Sequence, residues 1–318
     1  MTDAPELGRR LRDGDLTAAP AVLNLVETRT RAAELPALLH EVSPAVLGAE
    51  APGHLVGITG PPGVGKSTLL SALVAEWRGR DRSVAVLAVD PSSKRSGGSL
   101  LGDRARIDYD PADPGVFIRS TAAGGQLGGL APATRAAAQA LAAAFDVVVI
   151  ETVGVGQSET DVAEVADTVA VIVQPGSGDV LQFLKAGIME IPDVLVVTKA
   201  DLGQVAMRAR RDLRAALRSI GARSTPVVAV SAISPLQGVD ELVDALDAHR
   251  SGLDVGARRL AARRHAALAG FHAEHGERGL RALGGRRSAL RWLGEQEPGL
   301  DVAALVQALE SRAEKEAS

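Results

Sequence analysis

Apolar residues recur in two rhythms along this chain, and the switches between them divide it into three. Residues 1–52 follow helical spacing: Leu7, Leu11 and Leu16, then Val22, Leu23, Leu25 and Val26, then Leu35, Leu38, Leu39 and Val42. Asp15 reads as a helix N-cap. Ser43-Pro44 and Ala51-Pro52-Gly53 punctuate the approach to the first strand. Residues 53–250 change to short continuous apolar runs at 54–59, 83–89, 116–119, 146–151, 169–173, 194–198 and 227–231. Helical stretches such as 66–79 and 134–144 separate them. Strands apolar on both faces, alternating with helices, predict an α/β fold with a doubly wound, mainly parallel sheet. The chemistry of such a sheet belongs at the carboxyl ends of its strands. Residues 251–318 hold no further apolar strand. The spacing there predicts helices over 255–282, 287–294 and 301–317, with apolar stripes that must pack on the core or on another subunit.

Composition narrows the chemistry. Hydrophobic residues make up 46% of the 318, but aromatics only 2%, so the core is built from Ala, Val, Leu and Ile. A net charge of −4 offers no basic field for nucleic acid. The chain has no cysteine, which excludes disulfides, zinc–thiolate sites and thiol catalysis. The stretch Met1 to Glu6 is polar and acidic, without the pattern of a targeting segment. No apolar stretch approaches the roughly 20 residues of a membrane span. The expected compartment is the cytoplasm, with no membrane partner.

Five segments at or near strand ends carry candidate chemistry. Gly60-Pro61-Pro62-Gly63-Val64-Gly65-Lys66-Ser67 reads G-x-x-x-x-G-K-[ST], between a β-branched run and a helical one. That is the context a phosphate-binding loop requires. Its glycines let backbone N–H groups converge on phosphate oxygens at a helix N-terminus. Lys66 is placed to reach the β- and γ-phosphates and the Ser67 hydroxyl to bind Mg²⁺. A polar, Gly/Ser-rich loop runs from Asp90 to Asp103, and its two carboxylates are candidates for the metal or its waters. Glu151 ends a run of pure Val and Ile, where a Walker-B carboxylate sits. Gly154 and Gly156 come after it, free to approach a γ-phosphate and move with it.

Thr198-Lys199-Ala200-Asp201 matches the [NT]-K-x-D element that reads guanine. The Asp201 carboxylate accepts from guanine N1–H and the exocyclic amine while the Lys199 stem covers the base. Adenine offers neither donor in that arrangement. Ser231-Ala232 ends the next run, where guanine O6 is contacted. No residue stands out as an intrinsic base; Gln157 reads as an exposed polar side chain.

The segments from Val89-Asp90-Pro91-Ser92-Ser93 to Leu101-Gly102-Asp103, together with Glu151-Thr152-Val153-Gly154-Val155-Gly156-Gln157-Ser158-Glu159, resemble the MeaB/ArgK family. These are GTPase chaperones of adenosylcobalamin-dependent methylmalonyl-CoA mutase and its relatives, in the SIMIBI class of P-loop GTPases. The resemblance implies a P-loop GTPase domain at 53–250, N-terminal helices at 1–52 and a C-terminal helical dimerisation arm at 251–318. It implies that Thr68 joins Lys66 and Ser67 at phosphates and Mg²⁺, and that Asp90, Asp103 and Glu151 serve the metal and switch region. It also implies a third switch in which Asp179, Gln182 and Lys185 couple nucleotide state to the mutase. The expected ligands are GTP or GDP with Mg²⁺, the intrinsic rate low, the expected partner an acyl-CoA mutase, and the expected assembly a homodimer. Two departures stand out: Thr198 replaces the usual Asn, and Ser120 to Gly124 replaces a stretch richer in Pro and Arg.

Two other functions fit parts of the pattern. A nickel-type metallochaperone GTPase needs Cys or His clusters beside the phosphate loop; the spaced pair here, His272-x-x-His275, lies in the tail and reads as a solvated face. An ATP-dependent kinase linked to amino-acid transport is opposed by the guanine element. The tail also carries Arg258, Arg259, Arg263 and Arg264, read as a solvated face with i,i+4 pairing. Trp77 and Trp292 read as packing residues.

Overall fold

A computed structural model describes residues 3–28, 33–90, 107–122, 132–152, 162–176 and 192–317. The chain forms two compact units, one of residues 52–253 and one of residues 1–51 with 254–318.

In the first unit the Val- and Ile-rich runs become seven parallel strands: β1 (His54–Thr59), β2 (Val84–Asp90), β3 (Val116–Ala122), β4 (Val147–Thr152), β5 (Thr168–Val173), β6 (Val194–Val197) and β7 (Val227–Ala229). Their order is β3-β2-β4-β1-β5-β6-β7, so the chain reverses its direction of travel across the sheet around β1. Every residue of β1, β4, β5 and β6 is buried, which requires cover on both faces. On one face Val56, Ile58, Val86 and Val149 pack with Leu69, Leu73 and Trp77 of α5 (Lys66–Gly79), and the same core takes in Leu242 and Leu246 of α8 (Val239–Ser251). The unit also holds α6 (Pro132–Leu141) and α7 (Gln204–Ser219). On the opposite face Gly57 has no room for a side chain: a Cβ would stand 2.7 Å from the Val162 side chain. The third strand is longer than its apolar run predicts. It pairs with β2 over seven residues, so Ser120 and Thr121 are buried despite their polarity.

A polar chain ties the amino ends of the strands together. His54 Nε2 lies 2.8 Å from Thr168 Oγ1, which lies 2.9 Å from His249 Nδ1 on α8. His249 Nε2 is 3.2 Å from Asp193 Oδ1, and Asp193 Oδ2 accepts from Val169 N at 2.9 Å. Burial pushes the His54 imidazole below its ordinary 6.5, against a smaller upward pull from Asp247. Burial raises the Asp247 carboxyl, but its bonds to His54 and Arg82 outweigh that and hold it below the usual range.

The second unit contains α1 (Ala4–Arg12), α2 (Ala19–Glu27), α3 (Leu35–Glu41), α4 (Pro44–Leu47), α9 (Val255–Ala282), α10 (Arg286–Gly294) and α11 (Val302–Ala317). Asp15 caps a single 3₁₀ turn, Leu16–Ala18, by accepting from Thr17 N at 3.0 Å. The apolar stripes of the tail close on one another: Leu268, Phe271, Leu280, Leu293, Leu305 and Leu309 are buried in one cluster.

The arginine face departs from expectation. Arg259 and Arg263 are only 8% and 6% exposed. Arg263 binds both oxygens of Glu50 at 2.8 Å, and Arg259 Nη1 donates to Ala51 O at 2.6 Å. The cause is tertiary: this side of α9 faces the end of the N-terminal segment, a contact that helical spacing cannot display. Trp77 is buried as expected, and Trp292 packs on the tail cluster with the Arg312 guanidinium 5.2 Å from its ring centre. Among the described residues, no helix is long and apolar enough to cross a membrane.

Candidate functional site

The phosphate loop leaves β1 at Thr59 and enters α5 at Lys66. Gly60 lies against the Ile172 carbonyl of β5, so close that a Cβ would collide with it. Gly63 and Gly65 differ: among the described residues nothing would touch a side chain there, but their φ angles of 78° and 97° fall in the left-handed region that glycine tolerates. Space fixes the first glycine and backbone conformation fixes the other two. Consecutive turns of this kind direct N–H groups into one concavity, at the positive end of α5. Val64, 1% exposed, anchors the underside, while Pro61 is half-buried and Pro62 exposed. Lys66 is buried, and its ammonium donates to Gly60 O at 2.7 Å and Pro61 O at 3.0 Å. Ser67 is half-buried in the first turn of α5 and Thr68 is exposed.

Glu151 is 5% exposed and stands in register with Ile58 of β1 and Ala88 of β2. A buried carboxylate thus sits one residue from the end of the strand beside β1. The Ser67 hydroxyl and this carboxylate are hard oxygen donors, the chemistry that suits Mg²⁺. The Asp90 backbone closes β2 opposite Ala122. Asp103, Gly154 and Gln157 lie outside the described residues, as do Asp179, Gln182 and Lys185.

The segment Thr198 to Asp201 is fastened directly to the phosphate loop. Thr198 Oγ1 donates to Val64 O at 2.8 Å, with Val173 O at 3.1 Å, and Thr198 N donates to Val173 O at 2.9 Å. A hydroxyl therefore performs the bridging at this position. Lys199 has a left-handed backbone, φ 56° and ψ 45°, and its Nζ donates to Gln174 Oε1 at 2.5 Å. Asp201 is exposed in the short turn Ala200–Leu202. Ala200 N donates to Val230 O at 3.1 Å, which joins this turn to the exit of β7. There Ser231 is fully buried and exchanges both backbone bonds with Gln237, and Ala232 is partly buried.

The structure brings together residues 60–68, Glu151, Thr198 and Ser231 at one edge of the sheet. Gln174 was not foreseen. It lies just past β5 and meets Lys199, just past β6; the parallel pairing of Val173 with Val197 is the feature that places them side by side.

A seven-stranded parallel sheet with this loop defines the fold of the P-loop nucleoside triphosphatases. The chain belongs to the family described as methylmalonyl Co-A mutase-associated GTPase MeaB, which it matches over residues 19–275. A Pyrococcus horikoshii protein named as a GTPase is 48% identical over 202 residues, 63% of this chain and 62% of its own length. The mitochondrial methylmalonic aciduria type A homolog of Caenorhabditis elegans is 38% identical over 259 residues, 76% of this chain and 64% of its own. The chain thus spans less than two thirds of either relative. A crystal structure of an LAO/AO transport system kinase superposes with a TM-score of 0.61 at 26% identity, covering 92% of this chain and 96% of that one.

Proposed function

We propose that this protein binds and slowly hydrolyses GTP, and that its nucleotide state gates cofactor loading of an adenosylcobalamin-dependent acyl-CoA mutase of the methylmalonyl-CoA type. The observation that carries the guanine reading is the Thr198 bridge to Val64, which puts Lys199 and Asp201 on the same rigid frame as the phosphate loop. Family membership and the relatives' names support the partner.

In hydrolysis a water oxygen bonds to the γ-phosphorus while the bond to the β,γ-bridging oxygen breaks. The electron pair remains on GDP and the water's proton leaves with the products. Loop N–H groups and Lys66 hold the phosphates. Phosphate oxygens offer Lys66 charge-assisted bonds in place of the Gly60 and Pro61 carbonyls. Ser67 and Glu151, with the switch carboxylates Asp90 and Asp103, would hold Mg²⁺, which would supply charge neutralisation there. Switch motion after Glu151 at Gly154, and the third-switch residues Asp179, Gln182 and Lys185, would carry the state to the mutase. The homodimer rests on the family resemblance, since the apolar stripes of the tail are consumed within its own helices.

Competition against a fluorescent nucleotide tests the base. GDP should displace it far better than ADP, and Asp201→Ala should reduce that preference by roughly 100-fold. Tight ADP binding with weak GDP binding would sink the reading in favour of the kinase. Capture of a mutase by the GTP-loaded but not the GDP-loaded chain tests the partner.

A further inference from the structure

Helix α9 is broken at Gly276, whose φ of 61° and ψ of −163° only glycine holds without strain. Metal-ligating side chains gather at that break. His272 Nε2 lies 3.2 Å from Glu277 Oε1, and His275 Nε2 lies 3.1 Å from Glu310 Oε1 on α11. One ligand atom each from Glu274, His275 and Glu310 fall within 4.8 Å of one another. The His275 ring is held in place: it packs at a tilt of 35° against buried Phe271, ring centres 4.6 Å apart. Gly279 makes this packing possible, since a Cβ there would stand 2.5 Å from the His275 Cβ and 3.1 Å from the Phe271 ring. The helix break and Gly279 therefore fix an imidazole facing a carboxylate on the neighbouring helix.

We propose that Glu274, His275 and Glu310 bind a divalent transition-metal ion, Zn²⁺ foremost, with water completing the shell. One neutral imidazole and two carboxylates carry a charge of −2, matched to the ion. A mixed nitrogen and oxygen set suits zinc, whereas Mg²⁺ takes oxygen alone. Zinc–ligand bonds of about 2.0–2.1 Å put tetrahedral ligand atoms roughly 3.4 Å apart. Side-chain rotation of Glu274 and Glu310 closes the remaining gap. The bound ion cross-links α9 to α11 at the break. The His272 and His275 pair, three residues apart, is not the ligand set; the third ligand comes from α11.

The test uses the full chain, stripped with chelator and then held in GDP with excess Mg²⁺, so that the nucleotide site is saturated. Equilibrium dialysis against Zn²⁺ alone, read by plasma mass spectrometry, should show one tight ion per chain. His275→Ala and Glu310→Gln should each weaken it by at least about tenfold, and exposed Glu274→Gln by less. His265→Ala, at an exposed histidine elsewhere on α9, should leave it unchanged. Zinc should raise the melting temperature of the wild type but not of His275→Ala. Absence of stoichiometric zinc binding, or binding undiminished in His275→Ala and Glu310→Gln, overturns the site. If those two variants fail to fold, Glu274→Gln decides, and undiminished binding there overturns it.

Discussion

The sheet unit and the helical unit both bury charge, but to different ends. In the sheet unit, buried Lys66 and Glu151 stand at the carboxyl edge, beside a loop that turns through the left-handed glycines Gly63 and Gly65. In the helical unit, buried Arg263 is closed on both oxygens of Glu50. The first arrangement leaves a cationic group able to exchange loop carbonyls for an incoming anion. The second joins the start of the chain to its end. Burial alone therefore does not mark a site, and the partner's exchangeability does.

Substitutions can break that contrast. The largest effect belongs to Lys66→Ala, which should lower GTP and GDP affinity by 100-fold or more, about 3 kcal/mol, in calorimetric titrations. The melting temperature should barely move; a large drop would make Lys66 a structural group like Arg263. Next, Arg263→Met strands a mostly buried Glu50 carboxylate. It should destabilise the helical unit by roughly 2–3 kcal/mol in urea unfolding and leave GDP affinity intact. Adding Glu50→Leu should restore most of the loss. Thr198→Val removes the shared donor from two carbonyls and should cost about 1–2 kcal/mol, divided between stability and GDP affinity.

The smallest effect concerns pH. His54 is held neutral in the fold because burial lowers its pKa, so the unfolded chain binds the proton more readily. Stability contributed by this group is present above about 6.5 and declines as pH falls below it. In melts between pH 7.5 and 5.5, His54→Gln should make that decline shallower; an unchanged slope would remove His54 as its cause.

Local features were legible in sequence. Val and Ile runs marked the seven strands to within a few residues, because fully buried parallel strands need no alternation. Helix 66–79 and the tail helices at 287–294 and 301–317 follow from spacing, whereas the expected helix 255–282 is broken at Gly276, which apolar spacing does not display. The loop at 60–67 and the element at 198–201 are contiguous motifs, so they could be read before any fold was known. What escaped was contact between distant segments. Nothing near Arg263 points to Glu50, nothing near Lys199 points to Gln174, and nothing near His275 points to Glu310. The length of β3 escaped for the same reason, since Ser120 and Thr121 are strand residues only because β2 lies beside them.

The pairing of Glu50 with Arg263 bears on how the molecule is made. During synthesis the first 51 residues emerge ahead of the sheet unit, and their partners from 254 onward emerge after it. Domains fold as they emerge, so a nascent chain completes its sheet while Glu50 still waits for its arginine. A translation product that stops after the sheet contains every strand segment but lacks residues 254–318, so it cannot assemble the helical unit. An intact helical unit therefore reports that the ribosome has passed the last strand and gone on through the tail.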